Sequence, residues 1–196
     1  MGLAHPIELK ESGKIGMNLS EVLERDAVYV APRLLGMMLV SDVGGSVVVA
    51  RITEVEAYTR EDEASHSYRG ETVRNRSMFK GGGTLYVYRS YGVHWCANVV
   101  TGKVGSGDAV LLRGGEILDG IECAMSRRGR SKNLADGPGK FTQAMGIGGI
   151  HDGLDLRGGA PIRLVDGEVP AKTRCTTRIG ISKARDKCWR FLIEDG

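Results

Sequence analysis

Glu54 and Glu56 stand two residues apart in Ile52-Thr53-Glu54-Val55-Glu56-Ala57-Tyr58, and His66, Tyr88 and Asn98 follow within the next forty or so positions. The alternation predicts a strand with Ile52, Glu54, Glu56 and Tyr58 on one face. A core-forming strand would put apolar side chains there. Burying two carboxylates and a phenol is costly, so this row is expected to line a cleft. Paired carboxylates can divide acid and base work, each raising the other's pKa when they approach. One carboxylate that polarises water against an oxocarbenium-like centre contributes about 10²–10⁴ in rate and suits a sugar hydrolase or a nucleobase hydrolase equally. The alternative for either is an ion pair with Arg51 or Arg113, and the expectation is one structural and one catalytic carboxylate. Tyr58, His66 and Tyr88 offer flat faces that stack on bases or sugars at about 1–3 kcal/mol each. Against this, aromatic residues on strands commonly fill a core. Taken together, the group describes a site for a flat, polar ligand.

Other chemistries lack their residues. The chain has no H-E-x-x-H, no Walker loop and no G-x-S-x-G, and His94 and Cys96 have no second ligand pair, so no metal site is expected. The four cysteines, Cys96, Cys123, Cys175 and Cys188, form no C-x-x-C pair and read as reduced thiols of a cytoplasmic protein. No apolar run reaches the length of a membrane span, and the N-terminus has no signal pattern.

The net charge of +3 is unevenly spread. The first fifty residues carry four Lys/Arg against six Asp/Glu, whereas Arg69, Arg74, Arg76, Lys80 and Arg89 are opposed only by Glu71. A second group is Arg127, Arg128, Arg130 and Lys132, and seven basic residues between Lys172 and Arg190 face only Asp186. Such clustering suits a phosphate-backbone surface, the alternative being ordinary solvated faces. It favours a nucleic acid over a carbohydrate as the source of the flat ligand.

The elements that must hold these residues can be placed along the chain. Residues 1–17 show no periodicity and are expected to be a poorly ordered lead-in. Ser20 can cap a short helix, and Asp26 a second one ending at Gly36, with Pro32 either kinking it or confined to its last turn. Met37–Ser41 and Val47–Glu56 read as two strands joined across Gly44-Gly45. Residues 59–83 are loop-like, and the Gly81-Gly82-Gly83 run could cradle phosphate or simply permit a turn. Strands over 84–90 and 93–100 bend at Ser90-Tyr91-Gly92, so Tyr91 is either an exposed residue of no consequence or a wedge held towards a partner. Ala109–Arg113 is a further strand. Helical spacing over Glu116–Arg128 puts Ile117, Ile121, Ala124 and Met125 on one side. Another helix runs from Gly137-Pro138-Gly139-Lys140 to about Met145, and Ile162–Val165, Arg178–Ile181 and Trp189–Ile193 read as short strands. The expected fold is α+β: residues 18–196 form a single mixed domain with a curved antiparallel β-sheet core, a protruding β-hairpin and flanking helices.

Several of these motifs together resemble one family. Glu54-Val55-Glu56-Ala57-Tyr58, Asp62-Glu63-Ala64-Ser65-His66-Ser67, Arg74-Asn75-Arg76-Ser77-Met78-Phe79, Gly83–Tyr88, Tyr91-Gly92, Asn98, Ala109–Arg113, Gly137–Lys140 and Arg178-Ile179-Gly180 occur in the order found in the alkyladenine (3-methyladenine) DNA glycosylases. The resemblance implies a monofunctional hydrolase without metal or organic cofactor that excises alkylated purines, and in many members hypoxanthine and ethenoadenine, from double-stranded DNA. It implies Glu56 as the general base for water, with Arg113 and His66, the latter through its backbone carbonyl, helping to hold that water. Tyr58, His66 and Tyr88 match the walls around the flipped base, Asn98 a residue that disfavours normal guanine, and Tyr91 a wedge in the minor groove. Extruding the base gives access to its glycosidic bond. Arg74, Arg76 and Lys140 are expected at the DNA backbone. Arg89-Ser90 and Val93-His94-Trp95 depart from the mainly apolar neighbours of the wedge in vertebrate members. The short N-terminus is bacterial in style, implying a monomer acting in the cytoplasm at the nucleoid. Two further readings are a bifunctional glycosylase/lyase using Lys140 through a Schiff base, and a damaged-DNA-binding module without turnover.

Overall fold

The computed structural model describes residues 18–194; the expected lead-in over 1–17 lies outside the described residues. The Gly44-Gly45 pair adopts φ of 70° and 74° and joins β1 (Met38–Val43) to β2 (Ser46–Tyr58) in a two-residue hairpin. Positive φ at both central positions is what the right-handed twist of a tight hairpin requires, and glycine supplies it without steric cost. β3 (Leu85–Ser90), β4 (His94–Thr101) and β5 (Asp108–Asp119) complete the main run, in the spatial order β3-β4-β5-β2-β1-β6 with β6 at Ile162–Val165. All pairings are antiparallel. β2 is longer than either neighbour on one side, so its first half pairs with β1 and its second half, Glu54–Glu56, pairs with β8 (Arg190–Ile193), which carries β7 (Thr173–Thr176). The result is the α+β architecture expected, a curled antiparallel sheet with helices to one side.

Helices cover one face only. In α2 (Ala27–Leu34) the Asp26 carboxylate accepts from the Val28 and Tyr29 amides, each at 3.0 Å. Ala27, Val30, Ala31 and Leu34 recur at helical spacing and are buried against the sheet. α4 (Pro138–Met145) begins with proline, where no amide partner is lost, and buries Phe141, Ala144 and Met145 in the same core. α3 (Ile121–Arg128) adds Ala124, and α1 (Leu19–Leu23) precedes α2. Asn18, rather than Ser20, caps α1, accepting from the Ser20 amide at 3.1 Å.

Three expectations are corrected. Ile52 does not share a face with Glu54, Glu56 and Tyr58. Val48, Ala50 and Ile52 point into the core, and so do Val55 and Ala57, because Thr53 bulges from β2 and shifts the alternation by one. β5 has a matching irregularity at Arg113, so Val110 and Leu112 face the core and the alternation resumes from Gly115. A bulge of this kind re-aims side chains without ending the strand. Second, Glu116–Asp119 continues β5 rather than starting a helix, which begins only after Gly120 at φ 71°. Third, Arg178–Ile181 is a loop, and the strand before it is Thr173–Thr176. The glycine run at 81–83 serves packing: a Cβ on Gly82 would stand 2.1 Å from the Leu23 carbonyl oxygen.

Gly115 tests the bulged region directly, since a Cβ there would stand 2.6 Å from the Phe141 ring and 2.8 Å from the Arg51 carbonyl oxygen. Gly115→Ala is expected to lower stability by about 1–3 kcal/mol through overpacking, read as the urea midpoint; an unchanged midpoint would mean the ring moves aside freely.

Candidate active site

The alternation after the bulge puts Glu54, Glu56 and Tyr58 on the sheet face that the helices leave uncovered. Leu111 and Arg113 of β5, Cys96 and Asn98 of β4, and Tyr86 and Tyr88 of β3 lie on the same face. The loop 63–72 and the segment 179–183 close over them, enclosing a cleft of about 900 Å³.

Glu56 is fully buried beneath this cleft. Its Oε2 accepts from the Tyr58 hydroxyl at 2.8 Å, its Oε1 accepts from the Ile179 amide at 2.8 Å, and Arg113 Nη1 stands 3.5 Å from Oε1. Glu54 is the ion-paired carboxylate: its Oε1 accepts from Arg113 Nε at 2.8 Å and Arg190 Nε at 2.6 Å. Partial burial pushes the Glu54 carboxyl up, but the hydrogen bonds and charges of Arg190 and Arg113 outweigh it and hold the group below its ordinary value. Arg51, the other partner considered for this row, pairs with Glu116 instead. Burial, then the neighbouring Glu56, raises the Tyr58 phenol far above its ordinary range, so Tyr58 stays a donor.

The expected aromatic residues Tyr58, His66 and Tyr88 all line the cleft, and Tyr86 joins them. His66 meets Tyr88 edge-on, with ring centroids 4.4 Å apart, and Tyr86 stacks beside Tyr88 at 5.6 Å. Tyr86 is almost fully buried, and its hydroxyl lies 3.0 Å from His66 Nδ1. Burial pushes the Tyr86 phenol up to about 12, so it keeps its proton. Its hydroxyl and His66 Nδ1 share one hydrogen bond whose direction follows the imidazole tautomer. Burial, and then the Arg74 guanidinium, lower the His66 pKa, so the ring is neutral at pH 7. Tyr58 also lines the cleft, but Arg178 lies over its ring at 4.6 Å and its hydroxyl is committed to Glu56. Asn98 is buried and donates to the Tyr86 carbonyl at 3.1 Å, with its side chain on the cleft.

Two residues without a local chemical signal complete the frame. Asn75, 3 % exposed, donates from Nδ2 to the His66 and Gly70 carbonyls and accepts from the Thr72 amide and hydroxyl at Oδ1. All its hydrogen-bonding capacity goes into holding the loop that carries His66. The His66 carbonyl, expected near the water, therefore already accepts Asn75. Tyr86 was recognisable in principle, since Tyr86 and Tyr88 alternate onto one strand face. Asn75 and Ile179 were not, because nothing local marks them as partners of His66 and Glu56.

At the hairpin tip Tyr91 is 94 % exposed with φ 49°, beside Gly92 at 69°, in a turn closed by the Val93 amide on the Ser90 carbonyl at 3.0 Å. A non-glycine residue in the left-handed region costs about 1–2 kcal/mol, and here it holds a large aromatic ring in solvent. Around the cleft mouth, Arg69, Arg74 and Arg89 have no carboxylate partner among the described residues, and Arg76 is exposed in the 3-10 turn Arg76–Phe79. Several other basic groups are engaged within the protein, although among the described residues only Arg178 is buried. Arg178 and Arg190 pair with Asp62 and Glu54, Lys183 with Glu63, and Arg127 donates to the Val43 and Ala144 carbonyls. Lys140 pairs with Asp136 at 3.0 Å and does not line the cleft. The cysteines are free, no group of three or more His, Cys, Asp or Glu among the described residues could hold a metal, and no described helix is long and apolar enough to cross a membrane.

A buried carboxylate beneath an aromatic slot, ringed by arginines and overlooked by an exposed tyrosine, defines a site for a planar group carried on a polyanion. Comparison with known proteins agrees. Residues 21–196 match the family model described as methylpurine-DNA glycosylase (MPG). Proteins bearing the name "Putative 3-methyladenine DNA glycosylase" are 47% identical over 178 residues in Methanoculleus marisnigri and 41% over 175 residues in Carboxydothermus hydrogenoformans, each alignment covering 87% of this chain and 92% of the relative. One from Rhodopseudomonas palustris is 47% identical over 174 residues, covering 87% of this chain and 83% of the relative. The chain belongs to the methylpurine-DNA glycosylase family.

Two histidines, the buried His151 and the more exposed His66 at the cleft, contribute to the acid behaviour of the fold. His66 and His151 both have lowered pKa values, in each case first through burial. Above their ordinary value of 6.5 both folded and unfolded chains hold them neutral; below it the unfolded chain takes up protons that the folded one resists, so stability falls with falling pH. Glu54, whose folded pKa is depressed below 4.5, adds a further loss on passing below that value. The melting temperature is expected to be level from pH 8 to about 7 and to drop below about 6.5, with the first part of the drop reduced in His66→Gln. A melting temperature that rises on acidification would contradict these assignments.

Proposed function

We propose that the chain is a monofunctional DNA glycosylase that turns a damaged purine out of duplex DNA into the cleft and hydrolyses its N-glycosidic bond with a water activated by Glu56. The observation that carries this reading is the fully buried Glu56, held by the Tyr58 hydroxyl and the Ile179 amide with the Arg113 guanidinium 3.5 Å away, beneath a slot of His66, Tyr86 and Tyr88. A carboxylate offers about four acceptor positions, so Tyr58, Ile179 and Arg113 leave Glu56 able to accept one more donor, the attacking water. Glu56 takes the proton as the water oxygen bonds to C1′, and the electrons of the glycosidic bond leave with the base. A positioned base of this kind contributes about 10²–10⁴ in rate. Arg113 sets its positive charge 3.5 Å from Glu56, and the neutral His66 ring faces the base.

The substrate range proposed is 3-methyladenine, 7-methylguanine, hypoxanthine and ethenoadenine. Cationic alkylated purines are favoured between electron-rich rings and are better leaving groups, and Asn98 disfavours the exocyclic amine of undamaged guanine. Weak pairing at damaged bases lowers the cost of extrusion. Tyr91 fills the space the nucleotide vacates, and Arg69, Arg74, Arg76 and Arg89 follow the phosphates. Lys140 is proposed only at the backbone, through a side chain shared with Asp136. The protein acts as a monomer on the DNA of the bacterial nucleoid. A lyase would need an amine at the sugar, and Lys140 lies outside the cleft with its ammonium paired. A binding module would gain nothing from burying Glu56, since an ionised carboxylate away from water is costly to maintain.

Single-turnover cleavage of a labelled duplex with one 7-methylguanine should yield breaks only after alkali, and Glu56→Gln should lower the rate by at least about 10² while retaining lesion-duplex binding. Wild-type turnover by that variant would remove the base assignment. Tyr91→Ser should weaken lesion binding and slow excision; identical single-turnover kinetics would remove the wedge.

A further inference from the structure

Between Thr173 and Arg190 the chain has a single buried residue, Arg178. The loop from 177 to 188 leaves the sheet at the end of β7 and returns where Trp189 accepts the Ala57 amide at 2.8 Å, ahead of β8. Its middle is exposed: Thr177, Ile179, Gly180, Ser182 and Lys183 all face solvent. Yet the Ile179 amide is one of the two hydrogen-bond donors on Glu56.

What holds that amide in place is the guanidinium of the preceding residue. Arg178 Nη1 donates to the Ala57 carbonyl at 3.0 Å and to Asp62 Oδ2, and Nη2 donates to Asp62 Oδ1 at 3.1 Å and to the Ala184 carbonyl at 3.2 Å. Both Arg178 and Asp62 have no exposed side-chain surface. The guanidinium also lies over the Tyr58 ring at 4.6 Å and the Trp189 ring at 5.2 Å. One planar group thus ties the strand residue next to Glu56, the acidic turn before His66, the far side of its own loop and the ring whose hydroxyl binds Glu56. A bidentate fork is the geometry that arginine provides and lysine does not.

We propose that Arg178, fixed by Asp62, is a positioning residue for Glu56: it clamps the exposed loop 177–188 over the carboxylate and so delivers the Ile179 amide and orients Tyr58. The inference rests on the reading of Glu56 as the base. Arg178 itself touches neither water nor substrate. Losing an N–H donor from a carboxylate favours its protonated form, so a loosened clamp should move the acid limb of the excision pH profile to higher pH. A merely structural residue would not move that titration.

The test compares wild type, Arg178→Lys and Arg178→Ala, with Glu56→Gln alongside, on a duplex carrying one 7-methylguanine under single-turnover conditions across pH. Amide hydrogen exchange over 177–188 is measured on the same proteins. Arg178→Lys keeps a buried positive charge opposite Asp62 and serves where Arg178→Ala does not fold. The expected results are faster exchange in the loop, at least a tenfold lower maximal rate, half-saturation by enzyme within about twofold of wild type, and an acid limb moved to higher pH. An acid limb and maximal rate unchanged in Arg178→Lys, beside an inert Glu56→Gln, would overturn the positioning role alone. Wild-type excision by Glu56→Gln would instead overturn the reading on which it rests.

Discussion

A carboxylate with no exposed surface must be solvated by the protein or give up its charge, and Glu56 imposes that condition on most of the fold. Its partners come from three places: the Tyr58 hydroxyl two residues along the same strand, the Arg113 charge from the adjacent β5, and the amide of Ile179 from a loop more than a hundred residues later. None of these is useful unless β2 is paired on both edges, with β5 on one and β8 on the other. Glu54 belongs to the same arrangement. By engaging Arg113 Nε and Arg190 it fixes the guanidinium whose other end approaches Glu56. The two carboxylates therefore share an arginine rather than a proton, and burial acts on them differently.

The paired irregularities at Thr53 and Arg113 let one long strand serve two environments. In the first half of β2 the alternation sends Val48, Ala50 and Ile52 into the core; in the second it sends Val55 and Ala57 there and turns Glu54, Glu56 and Tyr58 to the opposite face, where Tyr58 lines the cleft. Without the extra residue, the apolar set that begins at Val48 would continue through Glu54 and Glu56, and two carboxylates would enter the core. Gly114 and Gly115 allow the close passage that the bulge requires. A Cβ on Gly114 would stand 3.3 Å from the Glu54 Cβ, and one on Gly115 would meet Phe141.

Charge and strain are partitioned by position. Arginines that hold the structure are buried against carboxylates or carbonyls, whereas those around the cleft mouth remain unpaired among the described residues. The left-handed Tyr91 keeps an aromatic ring exposed at a conformational cost of about 1–2 kcal/mol, which the well-paired β3–β4 ladder offsets. Local cost at the tip and satisfied hydrogen bonds beneath it fit a rigid platform that presents a few groups to a large partner.

The sequence by itself determined what depends on neighbours along the chain. The glycine hairpin at 44–45, the Asp26 cap, the exposed tip at Tyr91 and the polar character of Glu54, Glu56 and Tyr58 all follow from period-two alternation and turn chemistry. Motif order was enough to indicate the family. Ile52 was misplaced because strict alternation cannot reveal a bulge, whose cause lies in the partner strand. The ion pairing of Glu54 beside the full burial of Glu56, the stacking of Tyr86 on Tyr88 beside His66, and the burial of Arg178 within an otherwise mostly exposed basic run were decided only by the tertiary structure. In each case the deciding partner, whether Arg190, His66, Asp62 or the Ile179 amide, is distant in sequence. Burial and charge act through space, so a residue's type was legible in the chain while the state in which the fold holds it was not.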